Sequence, residues 1–493
     1  MINIHLEGRS RMIATALLSG SPLEADAYPL LHATRDLAAQ VGARAFLLDF
    51  SAVKRVSPSG LGALVELAAI AGGPELVLCG LPADAVTRLQ RLGLDHMLHH
   101  YPDRATALAS PALMRHRLAG LKAVVLAAGK GTRAQPLTDA TPKAMFDILG
   151  APVVTRILDD LAQAGIAETV VSTGHLAPMI AESLASRRFG AMSVFVLAEG
   201  RHGPAGWQGI PVGSATTLGR LRTEGNLHGD TLVMNGDALC DIDIASLYAQ
   251  HCRSGADVTI AGQPVSSEVV ARHGVIVADE TGRITSFLND STLAAAGSRL
   301  ANTGICILGP RALACAETRP GTDIATHLLP AVLAQGLHVQ VFDQPFQWAD
   351  IGCPKDYFRA LTLALSGRID GVAPVGTQSG SGIWVADGAF VAPDALLNGP
   401  VHIGQGATIH GGVELYGPVV IGAGAVIEGP CVIRSSLILP DTRVWAGTIV
   451  DQVIACGAWV VPYAEPDALP LPRHPMAENI SDFVATQQDW AAE

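Results

Sequence analysis

The stretch "VVLAAGKGTRAQPLTDATPKAMF", Val124 to Phe146, carries an apolar run into Gly129 and Gly131, then Thr132, Arg133 and finally Lys143. Glycines carry no side chain, so backbone N–H groups beside them can approach phosphate oxygens closely. Thr132 adds a hydroxyl donor. The Arg133 guanidinium can grip two phosphate oxygens and neutralise charge gathering on a departing pyrophosphate. Lys143, placed after the turn that Pro142 fixes, offers a second and more compact positive charge. This is not a Walker loop, because no glycine precedes "GKGT" at the required spacing. A lone Gly-x-Gly is a weak sign of phosphate binding, and a tight turn on an ordinary α/β domain is the plain alternative. The Thr-Arg, Pro-Leu-Thr and Pro-Lys that follow favour a phosphate cradle.

Such a cradle needs a strand to deliver it to a sheet edge. "KAVVLAAG" reads as that strand, and "PVVTRILDDLAQAG" (Pro152–Gly165) as an amphipathic helix closed by glycine. "ETVVSTGH" returns as a strand, and "DTLVMNGDA" (Asp230–Ala238) repeats the strand-then-loop pattern. The alternation predicts an α/β fold, a Rossmann-like core with a mostly parallel sheet and helices on both faces. Ligands in such sheets sit beyond the carboxyl ends of the strands, where the opening loop and "NGDA" both fall.

Two other rhythms flank this one. Before about residue 118 the units are smaller: "RAFLLDFSAV" (Arg44–Val53) is a buried strand pattern and "ELVLCGL" (Glu75–Leu81) another. Between them, "SGLGALVELAAIAG" (Ser59–Gly72) puts Leu61, Leu64, Leu67 and Ile70 on one helical face. Ser57 or Ser59 can cap that helix, and Gly60 and Gly62 allow close packing at its start. From about residue 380, Val385, Val391, Leu397, Ile403, Ile409, Leu415, Ile421, Ile427, Ile433, Leu439 and Trp445 fall six apart. A helix has no use for that period; it fits a solenoid in which each hexapeptide forms one side of a triangular coil. The expected domains are 1–118, 119–366 and 367–460, with a tail at 461–493.

With 493 residues, roughly three domains are expected at ~150 residues each. Hydrophobic residues at 49% and charged residues at 16% favour globular folding. The formal net charge of −12 argues against a general nucleic-acid surface, while leaving room for a local basic pocket. Eight cysteines stand without a CxxC pair, which suits free thiols in a reducing cytosol better than zinc or disulfides. The N-terminal apolar stretch is short, and Ile2, Ile4 and Leu6 alternate as in a strand rather than a signal peptide. No apolar run reaches the ~18–20 residues of a membrane span. The expectation is a soluble, cytoplasmic protein.

"LAAGKGTRAQPLTDATPK" resembles the signature of the nucleotide-sugar pyrophosphorylases, the sugar-1-phosphate nucleotidyltransferases. The likeness runs over about 245 residues, with "GIPVGSATTL", "LVMNGDALCDIDIASLYAQH", "HGVIVADETGRITSF", "ANTGICIL" and "WADIGCPKDY" as further landmarks in order. It implies Leu126, Ala128, Gly129, Gly131, Thr132, Gln208 and Gly213 around the nucleotide, and Gly274, Asn289 and Asn302 around the sugar. Arg133, Lys143, Asp237 and Asp350 are the implied catalytic residues, the two aspartates holding Mg²⁺. The implied substrates are an NTP and a hexose 1-phosphate, joined into an NDP-sugar with loss of pyrophosphate. One departure stands out: where the family commonly has Phe-x-Glu-Lys-Pro, this chain has Phe287-Leu288-Asn289-Asp290-Ser291. Asp290 has the wrong sign for a phosphate. Either Lys143 or another cation takes that work, or the substrate differs, or sugar-phosphate turnover is lost.

"LLDFSAVKRVSPSGLGALVEL" resembles a STAS domain, the anti-sigma-factor-antagonist fold. That family's turn usually reads Asp-Ser-Ser-Gly with the first serine phosphorylated; here Pro58 fills the acceptor position, which favours docking to a protein partner or oligomerisation over a phosphoserine switch. The hexads look like a left-handed parallel β-helix, which implies a homo-oligomer. The order of the last two domains resembles mannose-1-phosphate guanylyltransferases. His402 and His410 are candidate bases for a weaker acyl-transfer reading. The alternative from another class is a regulatory scaffold that binds a nucleotide or sugar phosphate and signals through the STAS-like domain.

Overall fold

A computed structural model describes residues 3–10, 13–20, 22–40, 43–70, 73–95, 97–108, 110, 112–113, 116, 118, 120–204, 206–264, 275–288, 300–457, 459–463 and 469–470. Gly274, Asn289, Asp290 and most of the 461–493 tail lie outside them. The chain separates into two compact units: Met1–Lys122 with Leu161–Glu168 and Ile244–Gly255, and the remainder.

In the first unit, strands β1 (Asn3–Ser10), β2 (Ile13–Ser19), β3 (Ala45–Ala52), β4 (Glu75–Cys79) and β5 (His99–Tyr101) form one sheet in that order. The β1–β2 pair is antiparallel and the other pairs are parallel. Helix α1 (Tyr28–Gln40) and helix α2 (Pro58–Ala69) bring Leu31, Leu61, Leu64 and Leu67 into a core with Phe46, Leu48 and Phe50. Ser57 is the cap of α2, accepting the Gly60 N–H at 3.0 Å. Gly60 is required, since a Cβ there would stand 2.3 Å from the Leu23 carbonyl oxygen. Gly62 is not: a Cβ there meets nothing within 4 Å, so only one of the two glycines serves close packing. The other end of α2 has no glycine stop. Buried Arg35 caps it instead, donating to the carbonyls of Leu67 at 2.8 Å, Ile70 at 3.2 Å and Pro74 at 2.9 Å.

The second unit holds β6 (Lys122–Ala127), β7 (Asp147–Ile148), β8 (Ala151–Pro152), β9 (Glu168–Thr173), β10 (Ser193–Ala198), β11 (Gly200–Gly203), β12 (Gly206–Gly209), β13 (Thr231–Asn235), β14 (Ala238–Cys240), β15 (Val258–Pro264), β16 (Val275–Ala278), β17 (Ile284–Leu288), β18 (Leu300–Leu308), β19 (Val339–Phe342) and β20 (Trp348–Asp350). Its main sheet runs β10-β9-β6-β13-β18-β15-β19, with β16 and β17 joined beside β18. β6 pairs parallel to β9 and β15 to β19, while β18 runs antiparallel between β13 and β15. Helix α3 (Val153–Ala164) belongs to this α/β part as far as Asp160, and α4 (Ser214–Thr223) and α5 (Pro354–Leu365) belong to it whole. Val124, Val233, Ile260 and Leu308 are among its buried aliphatics.

Beyond residue 376 short strands build three sheets, the sides of a parallel β-helix, parallel throughout except at the two ends of the longest, where Thr377–Gly380 and the strands after Cys456 pair antiparallel. Ile383 pairs with Val401, and Val401 with Val419, so the early coils take eighteen residues each. After Ile433 the coil shortens. Ile421 pairs with Ile438, Ile427 with Val444 and Ile433 with Val450, a spacing of seventeen. The inward positions are therefore Ile438, Val444 and Val450, all fully buried, not the Leu439 and Trp445 that a strict period of six predicts. Trp445 is 36% exposed and lies under the Arg443 guanidinium, 4.5 Å from its ring centroid. All eight cysteines are free. Among the described residues no helix is long and apolar enough to cross a membrane.

Candidate functional site

β6 ends at Ala127 and hands the chain to a loop whose shape depends on Gly131. Its φ of +65° is left-handed, which favours glycine. A Cβ there would also meet Thr138 Cγ2 at 2.9 Å and the Lys143 stem at 3.0 Å. With hydrogen at that position, the buried Lys143 side chain threads past the loop and its ammonium reaches Asp237, Nζ to Oδ2 3.5 Å. Thr138 ties the same loop down through its hydroxyl, which donates to the Gly131 carbonyl at 3.1 Å. Gly129 faces open space.

Here a cavity of about 320 Å³ is lined by Leu126, Ala127, Gly129, Gly131, Thr132, Arg133, Lys143, Ala144, Asn235, Gly236 and Asp237. Asp237 follows β13 through Gly236, whose N–H donates to the Leu126 carbonyl at 2.8 Å. Asp350, 113 residues later in the chain, ends β20, which pairs antiparallel with β14 so that Ala238 stands opposite Asp350. The Ile351 N–H donates to the Asp237 carbonyl at 2.9 Å, closing the same junction. Around Gly352 the carboxylates of Asp350 and Asp356 and the guanidinium of Arg133 converge. A Cβ on Gly352 would stand 3.0 Å from each carboxylate and 3.6 Å from Arg133 Nη2. Burial pushes both Asp237 and Asp350 above the usual carboxylate range. For Asp350 the neighbouring Asp237 charge pushes the same way, while Lys143 and Arg133 oppose the rise in both. A pair of hard oxygen donors held in this state fits a divalent cation, which would relieve their repulsion. No cluster of three or more ligating side chains occurs among the described residues.

The other expected residues lie on neighbouring elements. Ala128 turns its carbonyl toward the end of β9, accepting the His175 N–H at 3.3 Å. Gly174 packs on that carbonyl, and Gly209 at the end of β12 packs on Gly174. Trp207 Nε1 donates to Gly174 O at 2.8 Å, so the β11–β12 hairpin carrying exposed Gln208 is seated beside the loop. Gly213 caps α4 at a φ of +101°, where a Cβ would collide with the Thr322 carbonyl at 2.4 Å. Asn302 on β18 accepts the Gly304 N–H at 3.0 Å, and Gly304 in turn lies under the Asn235 carboxamide. Asn235 was absent from the expected set although it lines the cavity. Its signal was present in "VMNGDA", where it closes the strand just before the aspartate. His402, offered as an acyl-transfer base, is 1% exposed and bound to the Val375 carbonyl at 3.1 Å, so it does not face a solvent-borne substrate.

Comparison with known proteins bears on the family of the chain. The nucleotidyl transferase family model matches residues 122–366, and a STAS domain model matches residues 21–107. The chain is 32% identical over 338 residues to a UTP–glucose-1-phosphate uridylyltransferase of Synechocystis sp., covering 68% of this chain and 87% of that one. It is 31% identical over 291 residues to a mannose-1-phosphate guanylyltransferase of Mycobacterium tuberculosis, covering 58% and 76%. Among solved structures, HddC from Yersinia pseudotuberculosis complexed with GMP-PN matches 49% of this chain and 98% of its own, at 23% identity and a TM-score of 0.40.

Proposed function

The chain belongs to the nucleotidyl transferase family, as a sugar-1-phosphate nucleotidyltransferase, and from that premise we propose that its loop cavity joins an NTP to a hexose 1-phosphate. A phosphate oxygen of the sugar attacks the α-phosphorus, the bond to the β-phosphate breaks, and pyrophosphate leaves. Both reactants are anions, so the first task is to cancel repulsion and hold them in line. Backbone N–H groups around Gly129 and Gly131, with the Thr132 hydroxyl, would bind the triphosphate. Arg133, exposed at the loop's outer edge, would neutralise the departing pyrophosphate. Lys143 is held rigidly by burial and would keep its ammonium beside the α-phosphate. Asp237 and Asp350 would hold Mg²⁺, which when bound shares the phosphate charge. The single observation that supports this most is the gathering of Arg133, Lys143, Asp237 and Asp350 at one strand edge from three distant segments. The relatives named above differ in nucleotide and sugar but share a hexose 1-phosphate, and the resemblance in domain order adds weight to a guanylyl transfer to mannose 1-phosphate.

The test is pyrophosphate release with Mg²⁺ across the common nucleotides and hexose 1-phosphates, beginning with UTP and glucose 1-phosphate and with GTP and mannose 1-phosphate. One productive pair is expected. Saturable nucleotide binding without turnover for any pair would replace this reading with the regulatory scaffold.

A further inference from the structure

Lys143 sits on a single turn, Lys143–Met145, that passes through Phe146 into the β7–β8 hairpin. That hairpin is gripped by three separate segments of the chain. Tyr357 of α5, fully buried, donates its hydroxyl to the Asp147 carbonyl at 2.7 Å and packs its ring 4.7 Å from that of Phe146. Because α5 begins just after Asp350, Tyr357 connects the segment bearing one carboxylate to the segment bearing the ammonium. Arg156 of α3 donates to the carbonyls of Ile148 at 2.8 Å and Leu149 at 3.2 Å, and to Ala373 at 3.2 Å. Val375, at the entry to the β-helix, donates its N–H to the Leu149 carbonyl at 2.9 Å. Its side chain rests on Gly150, where a Cβ would stand 2.7 Å away and where φ is +96°.

His402 completes the arrangement from the next coil. The Nε2–H donates to the Val375 carbonyl at 3.1 Å, while Nδ1 is buried without a hydrogen-bond partner. An apolar side chain would avoid the cost of that unpartnered nitrogen, as at the equivalent position of the following coil, where buried Val420 stands opposite His402. The imidazole is explained if its bond to Val375 is worth more than the cost of its burial. We propose that the β7–β8 hairpin is a clamp through which the opening coils of the β-helix, by way of His402 and Val375, and the Asp350 segment, by way of Tyr357, fix Lys143 at the cavity. His402 and Tyr357 are then positioning residues for nucleotidyl transfer. This rests on the role given to Lys143 above, and it gives the β-helix a part in catalysis.

The test uses the full chain and two readouts, one of them independent of turnover. The first is trinitrobenzenesulfonate labelling of Lys143, followed by peptide mapping against exposed Lys355 as the internal reference. Wild-type Lys143 labels slowly; His402→Phe and Tyr357→Phe label it several-fold faster, and His402→Gln, which restores a donor at the same reach, returns it to the slow rate. Unchanged Lys143 labelling in His402→Phe, or equal acceleration at Lys355, overturns the clamp even if the enzyme turns over normally. The second readout is kinetic. His402→Phe lowers kcat by about tenfold or more, as a small misplacement of a charged group does, while His402→Gln recovers most of it. In a Lys143→Ala background the same His402→Phe change costs nothing further, because the two act through one group. An additive loss in that background overturns the clamp as a route to Lys143. An inactive wild type with the predicted labelling pattern would reject the assigned reaction and keep the clamp.

Discussion

Two glycines in one loop carry opposite demands, and substituting each separates structure from chemistry. Gly131 needs its left-handed backbone, and a Cβ would press on Thr138 and Lys143. Gly131→Ala is therefore expected to lower stability by about 1–2 kcal/mol and to displace Lys143. Gly129 has no neighbour in reach of a Cβ, so Gly129→Ala should leave stability within about 0.5 kcal/mol of wild type. If phosphate approaches the backbone there, the added methyl competes with it, and the KM for the NTP rises while the melting temperature stays. Unchanged KM values in Gly129→Ala would remove this glycine from the cradle. The aspartates make a matching pair: Asp237→Asn or Asp350→Asn should cut kcat by on the order of 100-fold or more and abolish the thermal shift that Mg²⁺ gives the wild type. Unaltered rates, or an intact Mg²⁺ shift, would move the metal elsewhere. Much of this was legible beforehand, because phosphate chemistry calls for residue types that stand out in a short stretch. Asn235 was legible only in part: "VMNGDA" puts it at the strand end before the aspartate, but a carboxamide there has many uses, and its place in the cavity lining and its contact with Gly304 are what mark it.

The elements that deliver these residues read well where their signals are local. β6, α3 and α2 follow from an apolar run, a closing glycine and a serine cap, each visible within a few positions. The solenoid shows where local reading stops. In "SSLILP" three aliphatics, Leu437, Ile438 and Leu439, stand in a row, so the period of six can pass through any of them. Pairing with the coil before decides the matter: Ile421 stands opposite Ile438, and the coil loses a residue. The consequence is measurable. Ile438→Ala should cost about 2–5 kcal/mol, as deletion of a fully buried side chain does, while Leu439→Ala should cost under about 1 kcal/mol. Chemical denaturation of the two variants distinguishes the registers, and a larger loss at Leu439 would restore the strict period. Tyr357 and His402 were equally hidden, because their partners lie 210 and 27 residues away and no spacing rule joins them.

Taken together, the chain has a formal charge of −12 yet brings Arg133 and Lys143 to a single cavity, so the anion binding proposed there rests on short-range placement rather than a long-range field. Among the described residues the buried apolar side chains fall into separate clusters: Phe46, Leu48 and Leu64 in the first unit, Val233 and Ile260 in the α/β part of the second, and Ile409 and Ile421 in its β-helix. Separate cores in so long a chain make a single all-or-none transition improbable on physical grounds. Calorimetry should resolve at least two transitions. Leu48→Ala, which empties a fully buried position, should lower the one belonging to the first unit by the equivalent of about 2–5 kcal/mol. Mg²⁺ with a productive NTP, held at about a hundred times its Kd, should raise the transition of the second unit by the equivalent of about 2.7 kcal/mol and leave the first in place. If both treatments move one common transition, the two units unfold together, and a ligand at the phosphate loop is then energetically linked to the STAS domain. That outcome would revive a regulatory role for the N-terminal unit despite Pro58, because nucleotide occupancy could reach a docked partner without any phosphoserine.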